Sequence, residues 1–325
     1  MLYLLRTSLI NNGNWVSMFM FANILFSSTH VLATYLQWIV PSVVNRFNYI
    51  VLERSVYFVN FSQQIRGKYA GITGQVGSNA FFITIFIAIV VSKLYVSKTL
   101  KSKLVLLFFL ILGFYALLLT EKRGLLLFNI LTIFFMFGIL IYKKLKLKKI
   151  KSLIIIFITI LIFIFIWLLS NNSYLLEYYL FDEDISTGRV GIYKDVMGMI
   201  GENPVLGNGI GSIEESLNIK GHNIYLQLWA ESGLIALILF VILIAGVLIF
   251  SVRLFSRKNI EDKNGRNYFD KVLFSIYIQF IFILYGFTGN PLYDYFILGI
   301  YIISASVPYY VSVAISKSKK EGEII

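Results

Sequence analysis

The sequence contains no cysteine, only two histidines and only four prolines in 325 residues, and charged side chains make up just 14%. The missing cysteines exclude disulfides and any thiolate metal site. The two histidines, His30 and His222, stand far apart, which argues against a zinc centre. No residue pattern asks for a metal or another cofactor. The shortage of charge excludes an ordinary soluble domain, which is about one quarter charged and about one half apolar. What takes its place is hydrocarbon: 58% of the residues are hydrophobic, and the mean hydropathy is +0.78. These values predict an all-α, polytopic transmembrane helix bundle, with residues 1–325 forming one integral membrane domain. No cleavable signal peptide is visible at the start, and no internal repeat or low-complexity linker interrupts the chain.

Eight apolar runs come close to the roughly 20 residues that cross a bilayer. They are 15–40, 78–96, 104–120, 124–142, 152–170, 233–252, 272–288 and 295–316. The net charge of +12 is unevenly placed between them. Four linkers, 92–103, 143–151, 253–271 and 317–320, carry most of the Lys and Arg and alternate with poorer ones. By the positive-inside rule the rich linkers are cytoplasmic. With Arg6 they hold 20 of the 29 basic residues, and both termini fall on that side. The basic balance is thus a topology signal and not a nucleic-acid surface, even at the run KKLKLKKIK (143–151).

The opposite, extracytoplasmic face comprises 41–77, the junction 121–123, the segment 171–232 and the turn 289–294. The segment 171–232 has 62 residues with nine acids and three bases, which is too long for an idle connector. Helical patterning at 190–200 and 223–230 marks it as a large, partly helical loop. Three basic sites on this face run against the topology rule. Lys122 and Arg123 are wedged into a short turn between two spans, where an arginine is either a snorkelling anchor or an anion clamp. Arg66 stands in RGKYAGITGQVGSNA, whose glycines Gly67, Gly71, Gly74 and Gly77 let backbone approach a ligand closely, unless the segment is an ordinary flexible loop. Arg189 follows Ser186 and Thr187, either of which can cap a helix whose N-terminal amides face an anion. Together, three arginines on an otherwise acidic exterior point to a phosphorylated substrate.

Polar groups also crowd the stretch GHNIYLQLWAESG (221–233), where an apolar helix begins. A helix starting near His222 places Asn223, Gln227 and Glu231 on one stripe, and His222, Tyr225, Leu226 and Trp229 on the neighbouring one. His222 is either a general base suited to neutral pH or a hydrogen bonder at a helix start. Tyr225 and Trp229 fit an interfacial belt or a platform for a sugar ring. His30, beside Ser27, Ser28 and Thr29 in the first span, reads as an interhelical hydrogen bonder.

Four segments then carry a resemblance: YAGITGQVGSNA (69–80), TEKRG (120–124), TGRVGIYKDVMGMIGENPVLGNGIGS (187–212) and HNIYLQLWAESG (222–233). In this order they resemble the bacterial O-antigen polymerases and O-antigen ligases. The last two follow the pattern of an Arg, then Pro-x-x-Gly-x-Gly, then His-Asn-x-x-Leu-x-x-x-x-Glu-x-Gly, with slack at single positions. The resemblance covers about residue 64 to the C-terminus. The family has more spans upstream, so the chain is expected to be short at its N-terminus relative to the family.

The resemblance implies a GT-C-like bundle acting as a metal-independent, inverting glycosyltransferase without a cofactor, at the outer face of the bacterial plasma membrane. Its substrates would be undecaprenyl-pyrophosphate-linked oligosaccharides. Arg66, Lys122, Arg123 and Arg189 would hold the pyrophosphate. His222 would activate or orient the acceptor hydroxyl, and Glu231 or the run Asp182 to Asp184 would take the proton. Asn223, Tyr225 and Gln227 would contact the glycan. The expected activity is a repeat-unit polymerase for capsule, exopolysaccharide or O-antigen, with a flippase and a chain-length regulator as partners. Two alternatives stand beside it: an O-antigen ligase transferring glycan to a lipid acceptor, and a transporter or flippase of lipid-linked sugars. The transporter would show inverted repeats and ionisable groups at mid-membrane.

Overall fold

A computed structural model describes residues 15–144, 189–218, 221–256 and 268–322. The expected span at 152–170, the acidic run 182–184 and the capping candidates Ser186 and Thr187 lie outside the described residues. All regular elements among the described residues are helices: α1 (Trp15–Ile39), α2 (Pro41–Val51), α3 (Arg54–Ile65), α4 (Val76–Val96), α5 (Leu100–Leu119), α6 (Arg123–Lys144), α7 (Arg189–Glu202), α8 (Ser212–Leu217), α9 (Ile224–Phe255), α10 (Phe269–Tyr285) and α11 (Tyr295–Gly322). Six of them, α1, α4, α5, α6, α9 and α11, are long and apolar enough to cross a membrane. The protein is an all-helical, polytopic membrane protein.

The chain divides into two compact units, one of Met1–Ile133, Val247–Phe282 and Tyr295–Ile325, the other of Phe134–Gly246 and Ile283–Asp294. In the first, α4 and α10 are apolar around almost their whole circumference and are buried accordingly. α1 and α5 pack against α4. A few polar bonds tie this core together. Tyr277 Oη donates to Asn129 Oδ1 at 2.8 Å, Asn129 Nδ2 donates to Thr84 Oγ1 at 2.9 Å, and Gln279 Nε2 donates to Ser251 Oγ at 2.9 Å. In an apolar bundle such bonds fix helix register, because their loss strands a polar group in hydrocarbon. Lys93 and buried Asp270 form an ion pair joining two of the linkers that the charge count places on one side of the membrane. His30 is buried between the rings of Phe26 and Phe82, each 4.6 Å away, and its Nδ1 has no hydrogen-bond partner among the described residues.

The second unit has its own small core. Val196 and Ile200 of α7, Ile213 of α8 and Ala230 of α9 are buried together, with Ile192, Met199, Leu226 and Trp229 packed around them. Residues 192, 196, 199 and 200 form one helical stripe, so α7 presents a single apolar face to α8 and α9. The start of α9 is also joined to the 283–294 segment through Ile224 N–H to the Gly286 carbonyl, 2.9 Å.

Candidate functional site

In the first unit, the glycine-containing loop after α3 is gripped by amide side chains. Gly71 N–H donates to Gln37 Oε1 at 2.7 Å, and its carbonyl accepts from Asn48 Nδ2 at 2.9 Å and Asn60 Nδ2 at 3.2 Å. Gly71 has φ +59, and a Cβ there would lie 3.3 Å from both Asn79 Oδ1 and Thr34 Oγ1. A Cβ on Gly74 would lie 2.2 Å from Val56 Cγ1. Close approach to these glycines is therefore made by the protein's own side chains.

The same loop is fastened to the end of α5. Tyr69 N–H donates to the Leu119 carbonyl at 3.0 Å, and Lys68 Nζ lies 3.9 Å from Glu121 Oε2. This joins the segment carrying Arg66 to the turn carrying Lys122 and Arg123. The turn is tight: Glu121 has φ 52, uncommon for a residue with a side chain, and Arg123 N–H reaches back to the Glu121 carbonyl at 3.0 Å. Leu117, Leu118, Leu126, Glu121, Lys122 and Arg123 line an open cleft that sets two cationic side chains and one carboxylate beside three leucines. Arg66 and Arg123 are exposed and Lys122 is half-buried. Such an arrangement can receive an anion that arrives on an apolar stem.

In the second unit, Arg189 is the first residue of α7. α9 starts at Ile224, with Asn223 as its cap: Asn223 Oδ1 accepts from the amides of Tyr225 (3.0 Å) and Leu226 (3.1 Å). The Asn223 side chain is thus engaged with its own helix. His222 precedes the cap in a left-handed conformation, φ 50, and its carbonyl accepts from Tyr193 Oη at 3.4 Å. Tyr225 Oη donates to the Ile283 carbonyl at 2.8 Å, and its ring lies 4.6 Å from that of Phe287.

Gln227 and Glu231, one turn apart, are both buried, Glu231 to 2% exposure. Gln227 Nε2 donates to Glu231 Oε1 at 2.9 Å, and Tyr293 Oη donates to Glu231 Oε2 at 2.7 Å. Among the described residues, Gln227 Oε1 has no hydrogen-bond partner. Burial, and then the neighbouring Glu231 carboxylate, push the Tyr293 hydroxyl well above its ordinary pKa, so it remains a donor. Sequence reasoning missed Tyr293. Its only local signal was the Gly289-Asn290-Pro291 turn just before it.

The segment 203–211 is the other half of this arrangement. Gly233 breaks α9 with φ 82 and ψ 173. The Leu234 amide, which in an unbroken helix would close on Ala230, bonds to the Pro204 carbonyl at 3.0 Å, and Trp229 Nε1 donates to that same carbonyl at 2.9 Å. The freed Ala230 and Glu231 carbonyls accept from the amides of Asn208 (2.8 Å) and Gly209 (2.9 Å). Backbone meets backbone so closely that a Cβ on Gly207 would lie 2.5 Å from the Glu231 carbonyl oxygen. One on Gly233 would lie 2.0 Å from that of Val205. The Pro-x-x-Gly-x-Gly and Glu-x-Gly motifs are two sides of one interlock, and Glu231 sits within it.

Residues 108–241 match the model of the O-antigen ligase family. Over this segment the chain is similar to that family. The matched segment takes in Lys122, Arg123, Arg189, the interlock and the His222–Glu231 stretch; Arg66 and Tyr293 lie beyond its limits. No curated protein matches the chain. Of the six helices that are long and apolar enough to cross a bilayer, the matched segment holds two in full or in large part, α6 and α5, and the first part of a third, α9.

Proposed function

We propose that the protein is a polysaccharide repeat-unit polymerase that joins undecaprenyl-pyrophosphate-linked oligosaccharides on the outer face of the bacterial plasma membrane. The observation that carries this reading is the fastening of the Arg66 segment to the Lys122–Arg123 turn in a chain whose residues 108–241 match the O-antigen ligase family. Cations beside leucines suit a pyrophosphate borne on a polyprenyl chain.

The acceptor hydroxyl attacks the anomeric carbon of the donor. A new glycosidic C–O bond forms with inversion, the anomeric bond to the pyrophosphate breaks, and polyprenyl pyrophosphate leaves with the electron pair. Arg66, Lys122, Arg123 and Arg189 bind the leaving group and stabilise its developing charge. His222 activates or orients the hydroxyl, and Glu231 or the 182–184 acids receive its proton. Tyr225 and Gln227 are the proposed glycan contacts; Asn223, the third candidate, has its side chain engaged with its own helix. Confining two lipid-anchored reactants to one plane supplies much of the remaining rate. A flippase delivering donors and a regulator of chain length are the partners that this reading proposes.

The test is polymerisation of purified lipid-linked repeat units by the full chain in vesicles. Arg123→Ala is expected to slow turnover by about 100-fold or more, the scale for losing a group that stabilises transition-state charge. Normal-length polymer on gels would remove the pyrophosphate clamp. A second reading, ligation of glycan onto a lipid acceptor, is favoured by the family's own description. It predicts product on a lipid A core acceptor and none on a second repeat unit.

A further inference from the structure

α2 and α3 turn their amide side chains inward and leave apolar stripes outward. In α2, Val44 and Asn48 are buried, while Val43, Phe47, Ile50 and Val51 are exposed, Ile50 by 75%. At about 100° per residue these four fall within an arc of about 100°, with exposed Arg46 near its edge. In α3, Asn60 is buried, and exposed Phe58, Phe61 and Ile65 fall within an arc of about 60°. Arg54 heads that stripe and Arg66 follows its last member. Seven of the nine exposed large hydrophobics on these two helices lie on the stripes, with Tyr49 and Val59 off them, and seven so grouped form a contact surface.

The occupant follows from where the pair sits in the chain. α2 begins two residues after the last residue of the membrane-crossing α1, and exposed Ile39 and Val40 lead directly into its stripe. The next membrane-crossing helix, α4, begins at Val76. At 11 and 12 residues, α2 and α3 are too short to cross about 30 Å of hydrocarbon. Arginines at the margins of an apolar arc match lipid phosphates beside acyl chains.

We propose that α2 and α3 form an interfacial amphipathic hairpin, lying in the plane of the headgroup–acyl boundary with membrane lipid as its ligand. Val43, Phe47, Ile50, Phe58 and Ile65 enter the acyl region, and Arg46 and Arg54 stay among the headgroups. Because Asn48 and Asn60 hold the Gly71 carbonyl, the depth of the hairpin sets the depth of the loop that follows Arg66. The inference is independent of which glycan reaction the protein performs.

The cysteine-free chain makes the test direct. Single cysteines at Phe47, Ile50, Phe58 or Ile65, with Ser42 and Ser55 as controls off the stripes, are labelled with an environment-sensitive fluorophore. The full chain is then reconstituted in phosphatidylethanolamine–phosphatidylglycerol vesicles. Labels on the stripes should be quenched by lipids carrying a nitroxide near the headgroup at least about twofold more than by aqueous iodide, with the reverse at the controls. Equal iodide quenching at stripe and control positions would overturn the proposal. So would strongest quenching by nitroxide at the acyl-chain ends, which would place the helices across the bilayer. Exclusion of both quenchers together with cross-linking between copies would assign the surface to a second copy of the chain instead.

Discussion

Glu231 is a carboxylate removed from solvent and held by two neutral donors, Gln227 and Tyr293. A buried charge is tolerated only when its oxygens are hydrogen-bonded, so the tyrosine hydroxyl bears on the stability of the fold around Glu231. Tyr293→Phe is expected to destabilise the protein by about 1–3 kcal/mol, read as a lower Tm in detergent. An unchanged Tm would remove the Tyr293 hydroxyl from the support of Glu231. Burial, then Glu231, raise the folded-state pKa of Tyr293 above the ordinary 10.0, so its contribution to stability is complete below pH 10 and is lost as pH rises through the higher folded value. His222→Ala tests the second candidate at this scale. A general base is worth about 100- to 10,000-fold, and unchanged turnover on lipid-linked repeat units would strike His222 from the catalytic set.

At the scale of elements, the interlock between residues 203–211 and the Gly233 break depends on absent side chains. Gly207→Ala and Gly233→Ala each combine a positive φ with a Cβ driven into backbone; strain of this kind costs about 1–3 kcal/mol before the overlap is counted. Both variants should lower the Tm and disorder the support of Glu231. Gly198→Ala, in the helical interior of α7 with open space around its Cβ position, should instead stabilise by about 0.5–1 kcal/mol. If all three behave alike in thermal unfolding, the interlock does not constrain the fold. The contrast also shows what could be read from sequence. The apolar runs at α1, α4, α5 and α11 are local in origin, set by hydropathy and length, and were legible. The two glycine motifs were legible as motifs, but their mutual contact was not, because 20 or more residues separate the partners and no periodicity links them. Asn223 is different: an Asn just ahead of an apolar helix is a local capping signal. The helical-wheel reading passed over it by starting the helix at His222. Tyr293 is one of 21 tyrosines, and its role appears only once the 283–294 segment is folded against α9.

For the whole molecule, the uneven placement of charge makes a claim about direction in the membrane. Contacts within the first unit agree with the alternation of linkers. Lys93 and Asp270, from two linkers rich in basic residues, pair with each other. The Arg66 segment and the 121–123 turn, both from poorer regions, are likewise fastened together. Each pairing is what alternating passes through a bilayer require, and neither says which side is which. The charge count supplies that: 20 basic residues on one face against nine on the other give a bias of the sign that keeps Lys and Arg in the cytoplasm. Single cysteines turn the bias into a measurement. A cysteine at exposed Glu215 in α8 should react in intact cells with a maleimide that cannot cross the membrane, whereas one at exposed Lys101 should react only after permeabilisation. The reverse pattern would place the interlock, His222 and the Arg66 segment on the cytoplasmic side. Lipid-linked glycans assembled on the outer face would then be out of reach, and the polymerase and ligase readings would fall together.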